Sequence, residues 1–115
     1  MVGRHTDLLL EGWRKGDAQM ILSAITDDFV YEDPVDGHFT RAEFEVYLKE
    51  QLGTGSTPGG FEAITDVVTV EKDGEEMTWG WWKTLTEPVQ EGAGLVKARP
   101  DGVYLERITY FSPME

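Results

Sequence analysis

The sequence predicts an α+β fold, and three observations carry that reading. The first half has apolar residues at helical spacing behind recognisable helix caps. The second half alternates over short segments separated by tight-turn signals. No internal repeat links the two. The length, 115 residues, suits one domain over 1–115 with a core that needs no staples.

The helices come first. Leu9 and Trp13 lie four apart, and Leu10 shares their side. Gly16-Asp17 breaks the chain, and Asp17 is a natural N-cap for a second helix with the stripe Met20, Ile21, Ala24 and Ile25. Asp27-Asp28 ends that helix. Phe29 to Asp33 is a short aromatic and β-branched strand stopped by Pro34. Asp36-Gly37 makes a turn, and Thr40-Arg41-Ala42-Glu43 is a capping box for a third helix carrying Phe44, Tyr47 and Leu48. The Gly53–Gly60 segment, GTGSTPGG, lacks the Lys-Ser/Thr of a phosphate-binding loop and reads as a helix-to-strand connector.

Four strands follow. Residues 61–71 alternate around Ile64, Val68 and Val70, and Asp73-Gly74 turns the chain into a strand at 75–86. Residues 87–92 form a loop before a strand at 94–99. Pro100-Asp101-Gly102 then leads into a last strand, Val103 to Phe111.

Composition excludes several functions. Ten Lys and Arg face 22 Asp and Glu, a net charge of −12, and no basic cluster exceeds Arg14-Lys15. Nucleic acid and anionic membrane both need clustered cations, so neither is expected as a partner. The longest aliphatic run, Leu8-Leu9-Leu10, is far short of a membrane span of about 20 residues, and the N-terminus carries no signal pattern. The expected location is the cytoplasm. Cysteine is absent, which removes thiolate chemistry, and His5 and His38 have no metal-ligand spacing. No metal and no cofactor are expected. A Gly-x-Ser-x-Gly elbow is also missing.

Two parts of the chain resemble a known group. The helix, Gly-Asp, second helix, Asp-Asp-Phe-Val-Tyr-Glu-Asp-Pro, turn and capped helix are similar to the N-terminal half of the nuclear-transport-factor-2-like superfamily. The branches most alike are the polyketide-cyclase-like (SnoaL-like) and ketosteroid-isomerase-like proteins. The closing Asp-Gly-Val-Tyr-Leu-Glu-Arg-Ile-Thr-Tyr-Phe-Ser resembles their last strand. The resemblance implies a cystatin-like α+β roll, in which a curved antiparallel sheet wraps three N-terminal helices as a cone with a pocket at its open end. It also implies a homodimer through the sheet, and it makes Asp33 the counterpart of the proton-abstracting aspartate of the ketosteroid isomerases. Two oxyanion donors of those enzymes are replaced here, a tyrosine by Leu9 and a protonated aspartate by Gly94. Steroid isomerisation is therefore not expected.

Candidate site residues follow from strand parity. Tyr31 and Asp33 are two apart and leave one face, so Asp33 is either a general base towards the pocket or a cap on the turn after Pro34. Arg107 alternates with Val103, Leu105, Thr109 and Phe111, which puts it inside, where it needs a partner and Asp33 is the obvious one. On this reading Ile108 and Tyr110 face outwards, towards a dimer partner. Met77, Trp79 and Trp81 share a face as core or pocket wall, with Trp82 opposite. Trp13 sits where the resemblance implies a pocket-lining side chain.

Two functions remain. One is a cofactor-independent isomerase, cyclase or lyase acting on a small hydrophobic carbonyl compound. Asp33 is then the base, with Arg107 or Tyr31 stabilising an enolate, and Trp13, Trp79, Trp81, Met77, Thr109 and Phe111 lining the pocket. The other is a non-catalytic ligand-binding or dimerisation module with the same pocket.

Overall fold

A computed structural model describes residues 3–53 and 57–111. Helix α1 (Gly3–Lys15) is followed by α2 (Ala18–Ser23), and strands β1 (Ile25–Asp33) and β2 (Gly37–Thr40) lead into helix α3 (Arg41–Leu52). Strands β3 (Glu62–Lys72), β4 (Glu75–Thr84), β5 (Glu91–Arg99) and β6 (Gly102–Tyr110) complete one sheet in the order β2-β1-β6-β5-β4-β3. The sheet is curved and unclosed; α1 and α3 pack against it, and α2 packs on those two helices. Every neighbouring pair of strands is antiparallel except β1 and β6, which run parallel.

Local chemistry sets most boundaries where the sequence places them. The Asp17 side chain accepts from the Met20 amide and starts α2. Thr40 and Glu43 form a reciprocal capping box on α3. Asp73 and Gly74 both adopt positive φ, the backbone that a two-residue hairpin turn requires. The boundaries of α2 and β5 differ from expectation, and one strand is new; β5 begins at Glu91, inside the segment read as a loop. Helix α2 stops at Ser23, because β-branched Ile25 and Thr26 already belong to β1. The short strand β2 was not expected; it pairs with β1, with Phe39 opposite Tyr31. Residues 54–56 of the glycine-rich connector lie outside the described residues.

The core lies between the helices and the inner face of the sheet. Leu9, Ile21, Phe29, Phe44, Leu48 and Val103 are fully buried there. Each contributes about 1.5–3 kcal/mol of transfer free energy. Two glycines permit close approaches that position the later site. Gly16 ends α1 at φ 69°, and a Cβ there would lie 2.3 Å from Thr57 Oγ1 and 2.9 Å from Phe61 Cβ. That gap lets the chain at 57–61 dock on the end of α1, where the Phe61 amide donates to the Arg14 carbonyl at 2.7 Å. On β5, a Cβ at Gly92 would lie 1.8 Å from the Thr109 carbonyl and 2.8 Å from the Trp82 ring. The Trp82 indole needs that bare backbone.

Two bulges reverse the expected parity. Between Thr65 and Val68 strand β3 carries one extra residue against β4, with Asp66 at φ 54°. Ile64 therefore packs on the core while Val68 and Val70 face out. On β6 the register against β5 shifts between Lys97 and Ala98, so Val103 opposes Ala98 but Leu105 opposes Lys97. The extra residue keeps Val103 inside and turns Glu106, Ile108 and Tyr110 inwards after it. Among the described residues no helix is long and apolar enough to cross a membrane.

Candidate functional site

Helices α1 and α3 and the sheet line an open cavity of about 100 Å³. Helix α1 contributes Trp13, β1 Tyr31, α3 Tyr47 and Gln51, and the docked segment Phe61 and Glu62. Trp82 and Thr84 on β4, Gln90, and Glu106, Ile108 and Tyr110 on β6 close it. A smaller cavity of about 30 Å³ adjoins it, sharing Trp13, Glu62, Trp82, Glu106 and Ile108.

Glu106 is the most unusual group on this wall. It is 4% exposed, and its Oε1 accepts from the Trp13 indole Nε1 at 3.1 Å. Among the described residues that is its one hydrogen-bond partner, which leaves the other carboxyl oxygen to the cavity. Burial disfavours the carboxylate and pushes Glu106 up to about 8; the Trp13 bond opposes this and the charge of Asp33 adds to it. Near neutral pH Glu106 is therefore mainly a neutral acid, yet close enough to its midpoint to give and take a proton. Glu62 is also held well above the ordinary carboxyl range, by burial and then by the charge of Glu106.

Asp33 occupies a different environment. It is 2% exposed and faces inwards beside Tyr31, as their spacing predicts. Its Oδ1 accepts from the Val35 and Asp36 amides at 2.8 and 3.0 Å, which is the turn cap. Its Oδ2 accepts from the Tyr31 hydroxyl at 3.3 Å and the Tyr110 hydroxyl at 2.7 Å. Four donors satisfy this carboxylate, and Asp33 does not line the cavity. The Tyr47 hydroxyl donates in turn to Asp36 at 2.8 Å. Burial raises Tyr31, Tyr47 and Tyr110 well above the usual phenol value, so all three keep their protons.

Several parity-based placements are corrected. Arg107 is 53% exposed on its side chain and pairs with Glu32 on the outer face, not with Asp33. Thr109 and Phe111 share that outer face, and Ile108 and Tyr110 line the cavity instead of facing a partner. The β6 bulge is the cause: parity counted from Val103 is off by one beyond it. Met77, Trp79 and Trp81 do share a face, but it is the outer one. Both tryptophans are 41% exposed, and Trp82 on the other side is the cavity residue. Trp13 lines the cavity as expected. Glu106, Glu62, Tyr47, Phe61 and Tyr110 were not foreseen as site residues. The adjacent Glu106-Arg107 pair was the available hint, since one of two neighbouring charges on a strand must face in. Among the described residues no group of three or more His, Cys, Asp or Glu is placed to hold a metal ion.

An NTF2-like protein from Anabaena variabilis ATCC 29413 superposes with a TM-score of 0.65 at 19% identity, over 96% of this chain and 87% of that one. The chain has the nuclear-transport-factor-2-like fold. A second neighbour is a protein of ketosteroid isomerase-like fold from Catenulispora acidiphila DSM 44928, in complex with trimethylamine. It gives a TM-score of 0.67 at 11% identity over 96% of this chain and 87% of that one. A candidate polyketide cyclase from Xanthomonas campestris gives 0.63 at 15% identity over 96% and 89%. No family model and no curated protein sequence matches the chain. In this chain the two positions read as lost oxyanion donors stay empty of donors, with Leu9 packed in the core and Gly94 carrying no side chain.

The hydrogen-bond pattern around Asp33 makes a quantitative prediction. In double-mutant cycles Asp33→Asn and Tyr110→Phe should couple by about 1 kcal/mol, whereas Asp33→Asn and Arg107→Ala should add within about 0.5 kcal/mol. Denaturant midpoints of the single and double variants measure both. Coupling of Asp33 to Arg107 instead of Tyr110 would restore the ion pair expected from parity.

Proposed function

We propose that the chain is a small-molecule pocket protein that moves a proton on a carbonyl compound without a cofactor, as an isomerase, cyclase or lyase. The observation that carries the reading is Glu106, a buried carboxyl on the cavity wall held at about 8. General acid–base catalysis is most effective when the pKa lies near the working pH. The proton-transfer role read from the sequence for Asp33 passes to Glu106, because four donors already satisfy Asp33. Asp33 acts as a positioning residue that aims Tyr31 and Tyr110. Arg107, on the outer face, has no part in the reaction. Binding without chemistry is the alternative, and the absence of donors at Leu9 and Gly94 favours it. A cytoplasmic location belongs to the same reading and rests on the acidic, cysteine-free sequence.

Deuterium exchange separates catalysis from binding. With cyclopentanone in heavy water, the protein should speed α-proton exchange above buffer, Glu106→Gln should abolish the gain, and Asp33→Asn should reduce it partially. A Trp13 indole signal that responds to cyclopentanone without any exchange would leave the binding module.

The same proposal includes a homodimer through the outer face of the sheet. Its residues differ from those expected: Val68, Val70, Met77, Trp79 and Trp81 stand exposed there, with Trp81 against Phe111 at 4.7 Å between ring centroids. Apolar side chains this dense on one sheet face are unfavourable in water unless covered. Sedimentation at micromolar concentration should give the dimer mass, and Trp79→Glu should give the monomer. A monomer mass for the unmodified chain would remove the dimer.

A further inference from the structure

We propose that the ligand of the cavity carries a positively charged amine, seated among the aromatic rings with Glu106 as its counter-ion. This deepens the reading above and rests on it, since it takes the cavity to be the ligand site.

The walls supply the first argument. Trp13, Tyr31, Tyr47, Phe61, Trp82 and Tyr110 surround a space of about 100 Å³. Aromatic faces are negative, and several rings around one small volume favour a cation over a neutral group of the same shape. The ionisable groups of the lining point the same way, although the buried Trp82 indole N–H, which has no partner among the described residues, is a donor for a ligand acceptor. The ionisable side chains of the lining besides the tyrosines are Asp36, Glu62 and Glu106, and no Lys, Arg or His is among the lining residues. An anionic ligand would meet carboxyls and no compensating cation. The tyrosines strengthen the bias. Tyr47 donates to Asp36, and Tyr31 and Tyr110 donate to Asp33, so their hydroxyl protons are directed at carboxylates and their oxygens remain as acceptors. The net charge of −12 adds a field that draws cations towards the surface.

Glu106 supplies the second argument. It is buried, has one hydrogen-bond partner among the described residues, and reaches the cavity. A carboxyl in that position is costly to ionise alone and is relieved by an adjacent cation. The groups facing it are Trp13 from α1, Tyr31 and Asp33 from β1, Tyr47 from α3, Glu62 from β3 and Tyr110 from β6; none is basic. A bound cation favours the carboxylate form, so binding at neutral pH expels the Glu106 proton. Affinity for a permanent cation therefore rises with pH up to about 8 and levels off above it. With the cation bound, Glu106 is in the form that accepts a proton from the rest of the ligand.

The test compares tetramethylammonium with tert-butyl alcohol, a neutral molecule of similar size and shape, by titration calorimetry on the whole protein. Measurements are made on both sides of the Glu106 midpoint. We expect tetramethylammonium to bind at least about tenfold tighter above the midpoint, with affinity falling as pH drops, while the alcohol is indifferent to pH. Glu106→Gln keeps the Trp13 acceptor, so it should fold; it should lose the pH dependence and most of the preference for the cation. Equal binding of the two probes overturns the amine proposal but leaves a ligand cavity. No binding of either overturns both readings.

Discussion

The arrangement of this protein turns on one awkward requirement: a carboxyl group, that of Glu106, is buried inside the curve of the sheet. Ionised and unpaired, such a group is costly enough that it takes up a proton instead. Its one hydrogen-bond partner among the described residues, the Trp13 indole, reaches it from α1, so the seating of that helix against β6 depends on the same contact. Helix α1 is in turn fixed by Gly16 and by the chain at 57–61, which brings Phe61 and Glu62 to the cavity. Helix end, connector and last strand thus converge on a single protonated side chain. A core built for stability alone would place an apolar residue there.

Asp33 shows the opposite solution to the same problem. It is as buried as Glu106 but has two amides and two phenols around it, which satisfy both of its oxygens. The two acids divide the work. Asp33 holds the turn after β1 and orients two tyrosines, while Glu106 keeps an oxygen free for the cavity. A carboxylate with four donors has little left to offer a ligand.

The elements of the fold were legible because their signals are local. Asp17, Thr40 with Glu43, and Asp73-Gly74 each act within a few residues, and each sits where its chemistry puts it. The inward pairing of Tyr31 with Asp33 was legible for the same reason, since no irregularity separates them. The β6 face was not. A bulge is a relation between two strands, here Lys97-Ala98 against Val103 to Leu105, and nothing within β6 announces it. That single residue exchanged Arg107 for Glu106 on the inner face, and with it a cationic site for an acidic one. Met77, Trp79 and Trp81 misled through size: large apolar side chains suggest a core, but β4 turns them outwards and buries Trp82 over Gly92.

The protonation of Glu106 links the fold to the function, and it can be observed directly. Carbon-13 labelling of glutamate side chains, with Glu106→Gln to assign the signal, gives the Glu106 carboxyl resonance as a function of pH. The account predicts a midpoint at about 8, well above the other glutamates that are open to solvent. A midpoint in the ordinary carboxyl range, about 4.3, would mean that Glu106 is a solvated carboxylate and would contradict the account.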